Sequence, residues 1–181
     1  QQQPHDARVV ARRRDMQRGV AIAGPDSRLG ASGEESPGRC FIATPGGVTP
    51  TVDAGSLDPS QAGGDAQARE LAEYLDAIAD DLAAAAPVAD IDVADYAAIV
   101  LPGGHGPMTD LAFDANVGRV LIAANAAGAI IAPFCHGPAA LLSAKLADGT
   151  NAFAGRTLTV FTDEEERTGG TGENTPWWVE S

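Results

Sequence analysis

A thiol and an imidazole stand side by side at Cys135-His136, followed directly by Gly137-Pro138. The pair falls between the apolar run Ala129 to Phe134 and the segment Ala139 to Leu146. If the first is a strand and the second a helix, Cys135 sits at a strand-to-helix bend. There the helix N-terminus turns its free N–H groups and positive dipole end toward the sulfur. Such surroundings favour the thiolate, the reactive form of cysteine. The arrangement is that of a nucleophile elbow with Cys in place of Ser, and Gly137 leaves room for a sharp turn. A buried, inert cysteine is the competing reading of the same position. His136 suits the proton carrier that a nucleophilic thiol needs, with a carboxylate elsewhere to orient it, or else it is a structural loop histidine.

Two further segments offer partners. Pro102-Gly103-Gly104-His105-Gly106 is a glycine-rich turn whose backbone can approach a ligand closely and present N–H donors to an oxyanion. His105 within it is a second imidazole candidate. Asp163-Glu164-Glu165-Glu166 is a run of acids that forms either a solvated face or the source of one carboxylate reaching His136. Cys40 lies inside an apolar run and reads as core, and Trp177-Trp178 reads as a packed hydrophobic pair. The three histidines are far apart in the chain and no His/Cys spacing of a zinc site is present, so no metal ligand is expected.

The elements that must position these residues follow from apolar periodicity. Cys40-Phe41-Ile42-Ala43 predicts a strand stopped by Thr44-Pro45-Gly46-Gly47, and residues 48–64 read as a loop. Leu71, Leu75, Ile78 and Leu82 fall on one face of a helix that starts near Asp65 and stops before Pro87. Ala97 to Leu101 and Ala129 to Phe134 are unalternating apolar runs, expected of strands covered on both faces. A helix from Asp114 to Ala127 ends at Gly128, Pro138 suits the first turn of a helix over 139–146, and Thr157 to Phe161 predicts a last strand. Strands alternating with helices imply a parallel sheet with helices on both faces. Function in such sheets gathers at the carboxyl ends of the strands, where both glycine turns lie.

Length and charge bound the reading. A chain of 181 residues, 44% hydrophobic and 20% charged, is one domain with a core large enough to stand without disulfide or metal staples. Its mean hydropathy is −0.07, and its longest apolar stretch, around Ala126 to Cys135, is interrupted by Gly128 and Pro133, so no membrane span is expected. The net charge of −13 argues against nucleic acid or anionic lipid as partner and for small molecules or proteins. Two cysteines make no disulfide framework, which points to a reducing compartment and a cytoplasmic location. Residues 1–39 carry seven arginines against five acids, net +2, whereas residues 40–181 carry five basic residues against 20 acids, net −15. The chain opens at Gln1 without an initiator Met, and residues 1–39 show strand-like patterning only at Val20-Ala21-Ile22-Ala23. They are expected to be a divergent or disordered segment ahead of an α/β domain over 40–181.

Taken in order, Pro102-Gly103-Gly104-His105-Gly106-Pro107-Met108, Cys135-His136-Gly137-Pro138-Ala139-Ala140-Leu141-Leu142 and Phe161-Thr162-Asp163-Glu164-Glu165-Glu166 resemble the ThiJ/PfpI superfamily. The nearest branch is that of the glutathione-independent glyoxalases, which also holds heat-shock chaperones and proposed protein deglycases. The resemblance covers roughly residues 40–180 and includes the turn Ala43 to Gly47. It implies a flavodoxin-like three-layer α/β sandwich with a mostly parallel sheet, in a single domain, and a possible homodimer. It implies a triad of Cys135, His136 and an acid, for which the offset from Phe161 favours Glu166, then Glu165, over Glu164. Gly103 and Gly104 would supply backbone donors. The implied reaction is cofactor-free conversion of methylglyoxal, a small-molecule aldehyde, to lactate through a hemithioacetal on Cys135. The resemblance also carries alternatives: a stress-response holdase, a cysteine redox sensor, or an inactive fragment. A family strand and a glutamate-bearing helix have no counterpart in residues 1–39, and Thr175 to Glu180 resembles the start of a further family helix, so the chain is expected to be incomplete at both ends.

Overall fold

The computed structural model describes residues 16–17, 20–23, 40–170, 172 and 175–181, with side chains from residue 41 onward. Its strands are β1 (Met16–Gln17), β2 (Val20–Ala23), β3 (Cys40–Thr44), β4 (Thr51–Val52), β5 (Ala86–Pro87), β6 (Ala98–Leu101) and β7 (Ile130–Pro133). Its helices are α1 (Pro59–Ala62), α2 (Asp65–Ala77), α3 (Ala79–Ala83), α4 (Gly106–Thr109), α5 (Ala115–Ala127) and α6 (Asp163–Gly169). A five-stranded sheet runs in the order β5-β3-β2-β6-β7. The outer pairs β3/β5 and β6/β7 are parallel, whereas β2 runs antiparallel to both of its neighbours. Four of these five strands, β5, β3, β6 and β7, therefore point the same way, so the sheet is mostly parallel as expected, and the reversed central strand β2 lies ahead of the expected domain start at residue 40.

The α/β reading holds where apolar periodicity is strong. Asp114 caps α5 by accepting hydrogen bonds from the Asn116 and Val117 N–H groups, and Gly128 closes it in the left-handed conformation. The inward face of α5, Val117, Val120, Leu121 and Ala124, packs with Ile99 and Leu101 of β6, and with Val88, Val93 and Leu111, in one buried cluster. Each large side chain fully buried there contributes about 1.5–3 kcal/mol.

Four expectations are corrected. The helix from Asp65 is broken at Ile78 into α2 and α3, and its apolar face is mostly half-buried. The segment after Cys135 is a short 3-10 helix, Gly137–Ser143, rather than an α-helix reaching Leu146. The run 157–161 forms no strand. Ile130 is 65% exposed, so β7 is a sheet edge rather than a strand covered on both faces. The last two share a cause. Ile130 and Phe134 donate their N–H groups toward β6, to Ala97 and Leu101 carbonyls, so the alternate residues Ile131, Pro133 and Cys135 face outward. Pro133 has no N–H to offer a further strand. The incoming chain makes its link one step later, where Phe161 N–H donates to the Cys135 carbonyl at 3.1 Å.

Candidate active site

The carboxyl ends of the parallel pair β6 and β7 lie side by side, and the two glycine turns leave from them together. Cys135 occupies the bend after β7 with φ of 55°, the one non-glycine residue at positive φ among the described residues. A side chain held there costs about 1–3 kcal/mol, a strain typical of functional turns. The bend is tight: Gly137 N–H donates to the Phe134 carbonyl at 2.6 Å. Any Cβ on Gly137 would collide with the Leu101 carbonyl. Gly103, from the neighbouring turn, leaves no more space, since a Cβ on it would lie 2.7 Å from Cys135 Cβ and 3.4 Å from Sγ. The two glycines let two backbones close around one exposed sulfur.

A line of contacts runs inward from that sulfur. Cys135 Sγ lies 3.2 Å from His136 Nδ1, and His136 Nε2 lies 2.5 Å from Glu166 Oε1. His136 and Glu166 are both buried. With Nε2–H donating to the carboxylate, Nδ1 keeps the lone pair that accepts the thiol proton. Burial pulls the His136 pKa down, but the hydrogen bonds to Cys135 and Glu166 and the charges of both outweigh it, so the ring titrates above its ordinary value. Phe161 packs on the same imidazole at 4.6 Å between ring centroids.

The acid run resolves by helix geometry. Thr162 caps α6: its hydroxyl accepts from Glu165 N–H, while Glu165 Oε2 accepts from Thr162 N–H at 2.8 Å, a capping box. Glu164 faces solvent and pairs with Arg167 at 3.0 Å. Asp163 N–H donates to the Glu180 carboxylate at 2.6 Å. That leaves Glu166 pointing inward, with no exposed surface, onto His136.

His105 also joins the cluster. Its ring stands edge-on to His136 with centroids 4.6 Å apart, and its Nε2 is 3.6 Å from Glu166 Oε1. Burial and the neighbouring His136 charge push its pKa below the ordinary value, against the pull of Glu166 and Asp53. No His/Cys spacing along the chain marked a metal site, yet His105, His136 and Glu166 bring three potential donor atoms within 4.8 Å of one another. Spacing along the chain did not reveal this because a parallel strand pair brings residues 31 apart into contact.

Gly103 lies beside the thiol, and Gly104 follows it in the left-handed conformation at φ 79°. Among the described residues neither N–H donates to a backbone carbonyl. Cys40 is on β3, and its side chain lies outside the described residues. The two tryptophans separate, on irregular chain rather than a helix. Trp177 packs on Met108, Ala112 and Ala139 and donates its indole N–H to the Met108 carbonyl at 3.1 Å, whereas Trp178 lies against Arg167. Phe161 is the contact that residue patterns missed; its signal was its place just ahead of the acid run.

Residues 63–169, more than half of the chain, match the DJ-1/PfpI family. The probable glutathione-independent glyoxalase hsp3104 of Schizosaccharomyces pombe is 32% identical over 78 residues, 43% of this chain and 35% of that protein. The protein/nucleic acid deglycase HchA of Staphylococcus aureus is 36% identical over 69 residues, 38% of this chain and 24% of that protein. The matched stretches therefore span about a third or less of these relatives' length. Among solved structures, the Rapid Encystment Protein 24 KDa of Francisella tularensis superposes with a TM-score of 0.61 at 27% identity, covering 76% of this chain and 59% of that one. Glyoxalase III from Candida albicans superposes at 0.56 and 22% identity, covering 68% and 53%, a likeness of fold. A match over most of the α/β core, with the thiol turn, the glycine turn and the start of the acid helix inside it, makes this chain a member of the DJ-1/PfpI family.

Proposed function

We propose that the chain converts 2-oxoaldehydes such as methylglyoxal into 2-hydroxy acids without glutathione, using Cys135 as nucleophile. The observation that carries this reading is the unbroken line from Cys135 Sγ through His136 to buried Glu166. His136 Nδ1 takes the thiol proton, and the sulfur bonds to the aldehyde carbon. The carbonyl electron pair moves to oxygen, and the N–H groups of Gly103 and Gly104 are the donors assigned to receive it. The imidazolium, steadied by Glu166, returns the proton to that oxygen and gives a hemithioacetal. His136 then removes the proton on the former aldehyde carbon, an enediol forms, and reprotonation at the neighbouring carbon leaves a thioester. Water cleaves the thioester, releasing the 2-hydroxy acid and the thiol. Substrate and one water thus balance the product. The name of the fission-yeast relative supports this reading.

A second substrate form is favoured by the exposure of Cys135, which would admit a carbonyl adduct carried on a larger molecule, as the name of the staphylococcal relative suggests. The test is lactate formation from methylglyoxal without added thiol, alongside repair of a glycated peptide, in the native sequence and in Cys135→Ser. Both activities are expected to vanish in the variant. Equal aldehyde consumption by the two proteins would sink the nucleophile assignment and leave the holdase or redox-sensor readings.

A further inference from the structure

Glu166 Oε1 faces two imidazole nitrogens, His136 Nε2 at 2.5 Å and His105 Nε2 at 3.6 Å. The thiol relay uses the first and leaves the second unassigned. All three donor atoms lie within 4.8 Å of one another. A divalent ion about 2.0–2.2 Å from each donor, in tetrahedral geometry, holds those donors roughly 3.3 Å apart. The observed separations bracket that value. The adjustment needed is a widening of the His136–Glu166 contact and an inward swing of His105, whose side chain is 29% exposed and forms the solvent side of the cluster. Two imidazoles with one carboxylate suit zinc-like ions, whereas calcium and magnesium prefer all-oxygen sets.

We propose that His105, His136 and Glu166 form a binding site for a divalent transition-metal ion of the Zn²⁺ type, and that its occupancy shuts off the thiol relay. The ion takes the Nε2 lone pair of His136 in the other tautomer of the ring: the Nε2 proton passes to solvent as solvent returns one to Nδ1, so the imidazole stays neutral and no net proton is lost. The bound, neutral imidazole then carries its proton on Nδ1, on the opposite side of the ring, and donates it toward Cys135 Sγ. No lone pair remains to accept the thiol proton, so metal and relay exclude each other. The sulfur touches Nδ1 and not the metal-facing nitrogen, so the thiolate is not a ligand. The inference uses the geometry of the site and is independent of which carbonyl compound Cys135 attacks.

Cobalt(II) titration of the full chain, without substrate, tests it. One equivalent is expected to give visible d–d absorption without a sulfur-to-cobalt charge-transfer band. The same spectrum is expected in Cys135→Ser, and zinc(II) should displace the cobalt. His105→Asn is expected to weaken binding by about tenfold or more. Should that variant not fold, the ring ¹⁵N signals of His105 in the native sequence decide the point, and they must shift with one equivalent of zinc(II). The proposal is overturned by the absence of one-equivalent binding, by a sulfur band that Cys135→Ser removes, by unchanged affinity in His105→Asn, or by stationary His105 signals. Because no outcome depends on turnover, failure of the aldehyde reading would leave this test intact.

Discussion

Gly103 stands directly against Cys135, so that a Cβ added to the glycine would lie 2.7 Å from the cysteine Cβ. Real carbon pairs do not approach so closely, and one of the two turns would have to yield. Gly103→Ala is therefore expected to displace the sulfur relative to His136 and lower kcat/KM by about a hundredfold. Its stability cost, about 1–3 kcal/mol, is the usual one for overpacking. Steady-state kinetics with a melting curve checks this; full activity would mean that the glycine turn does not position the thiol.

The three glutamates separate by role. Glu166→Gln keeps the shape of a buried group but presents an amide that can donate to Nε2, favouring the tautomer with Nδ1–H and removing the acceptor for the thiol proton. A loss of about a hundredfold or more in turnover is expected. Glu164→Gln, at the solvent-facing pair with Arg167, should leave turnover unchanged. Glu165→Gln should leave the thiol relay in place and change mainly the melting temperature, since Glu165 completes the capping box. Similar turnover losses across all three would show that the acid is misassigned.

Cys135 holds a left-handed backbone that glycine adopts freely. Both Cys135→Gly and Cys135→Ala abolish the thiol chemistry, but only the first removes the Cβ that makes φ of 55° costly. The glycine variant is expected to be the more stable of the two by about 1 kcal/mol. Chemical denaturation measures the difference. An alanine variant as stable as the glycine variant would mean that the bend carries no strain.

The two histidines couple stability to pH in opposite senses, measured with a chelator present. His136 titrates above its ordinary 6.5, so its contribution is fully present below that value and fades as pH rises through the higher folded value. His105 titrates below 6.5, so its contribution is present above that value and fades as pH falls through the lower folded value. His105→Asn should therefore lose less stability than the native sequence between neutral and mildly acid pH. A steeper acid-side loss in the variant would contradict the placement of His105 against His136.

Local pattern determined a large share of this molecule. The apolar runs of β6 and β7, the face of α5 with its Asp114 cap and Gly128 stop, and the Cys135-His136-Gly137 bend all depend on residues close in the chain, where sterics and hydrophobic period act directly. The acid run was legible as a solvated face or the source of one carboxylate, and the offset from Phe161 in the family resemblance already preferred Glu166 within it, whereas its helix and capping box came only with the structure. What only the tertiary structure decided rests on contacts between distant segments. Pro133 faces the outer edge of β7, which no single-strand pattern reveals, and so 157–161 stays out of the sheet and Ile130 stays exposed. His105 and His136 meet because β6 and β7 pair in parallel and release their turns at the same edge, and Glu166 reaches both because α6 starts just after Phe161 is tied to Cys135. Side-chain period is a property of one segment, whereas a shared carboxylate is a property of how segments are registered, and register is settled only when the sheet and its core assemble together.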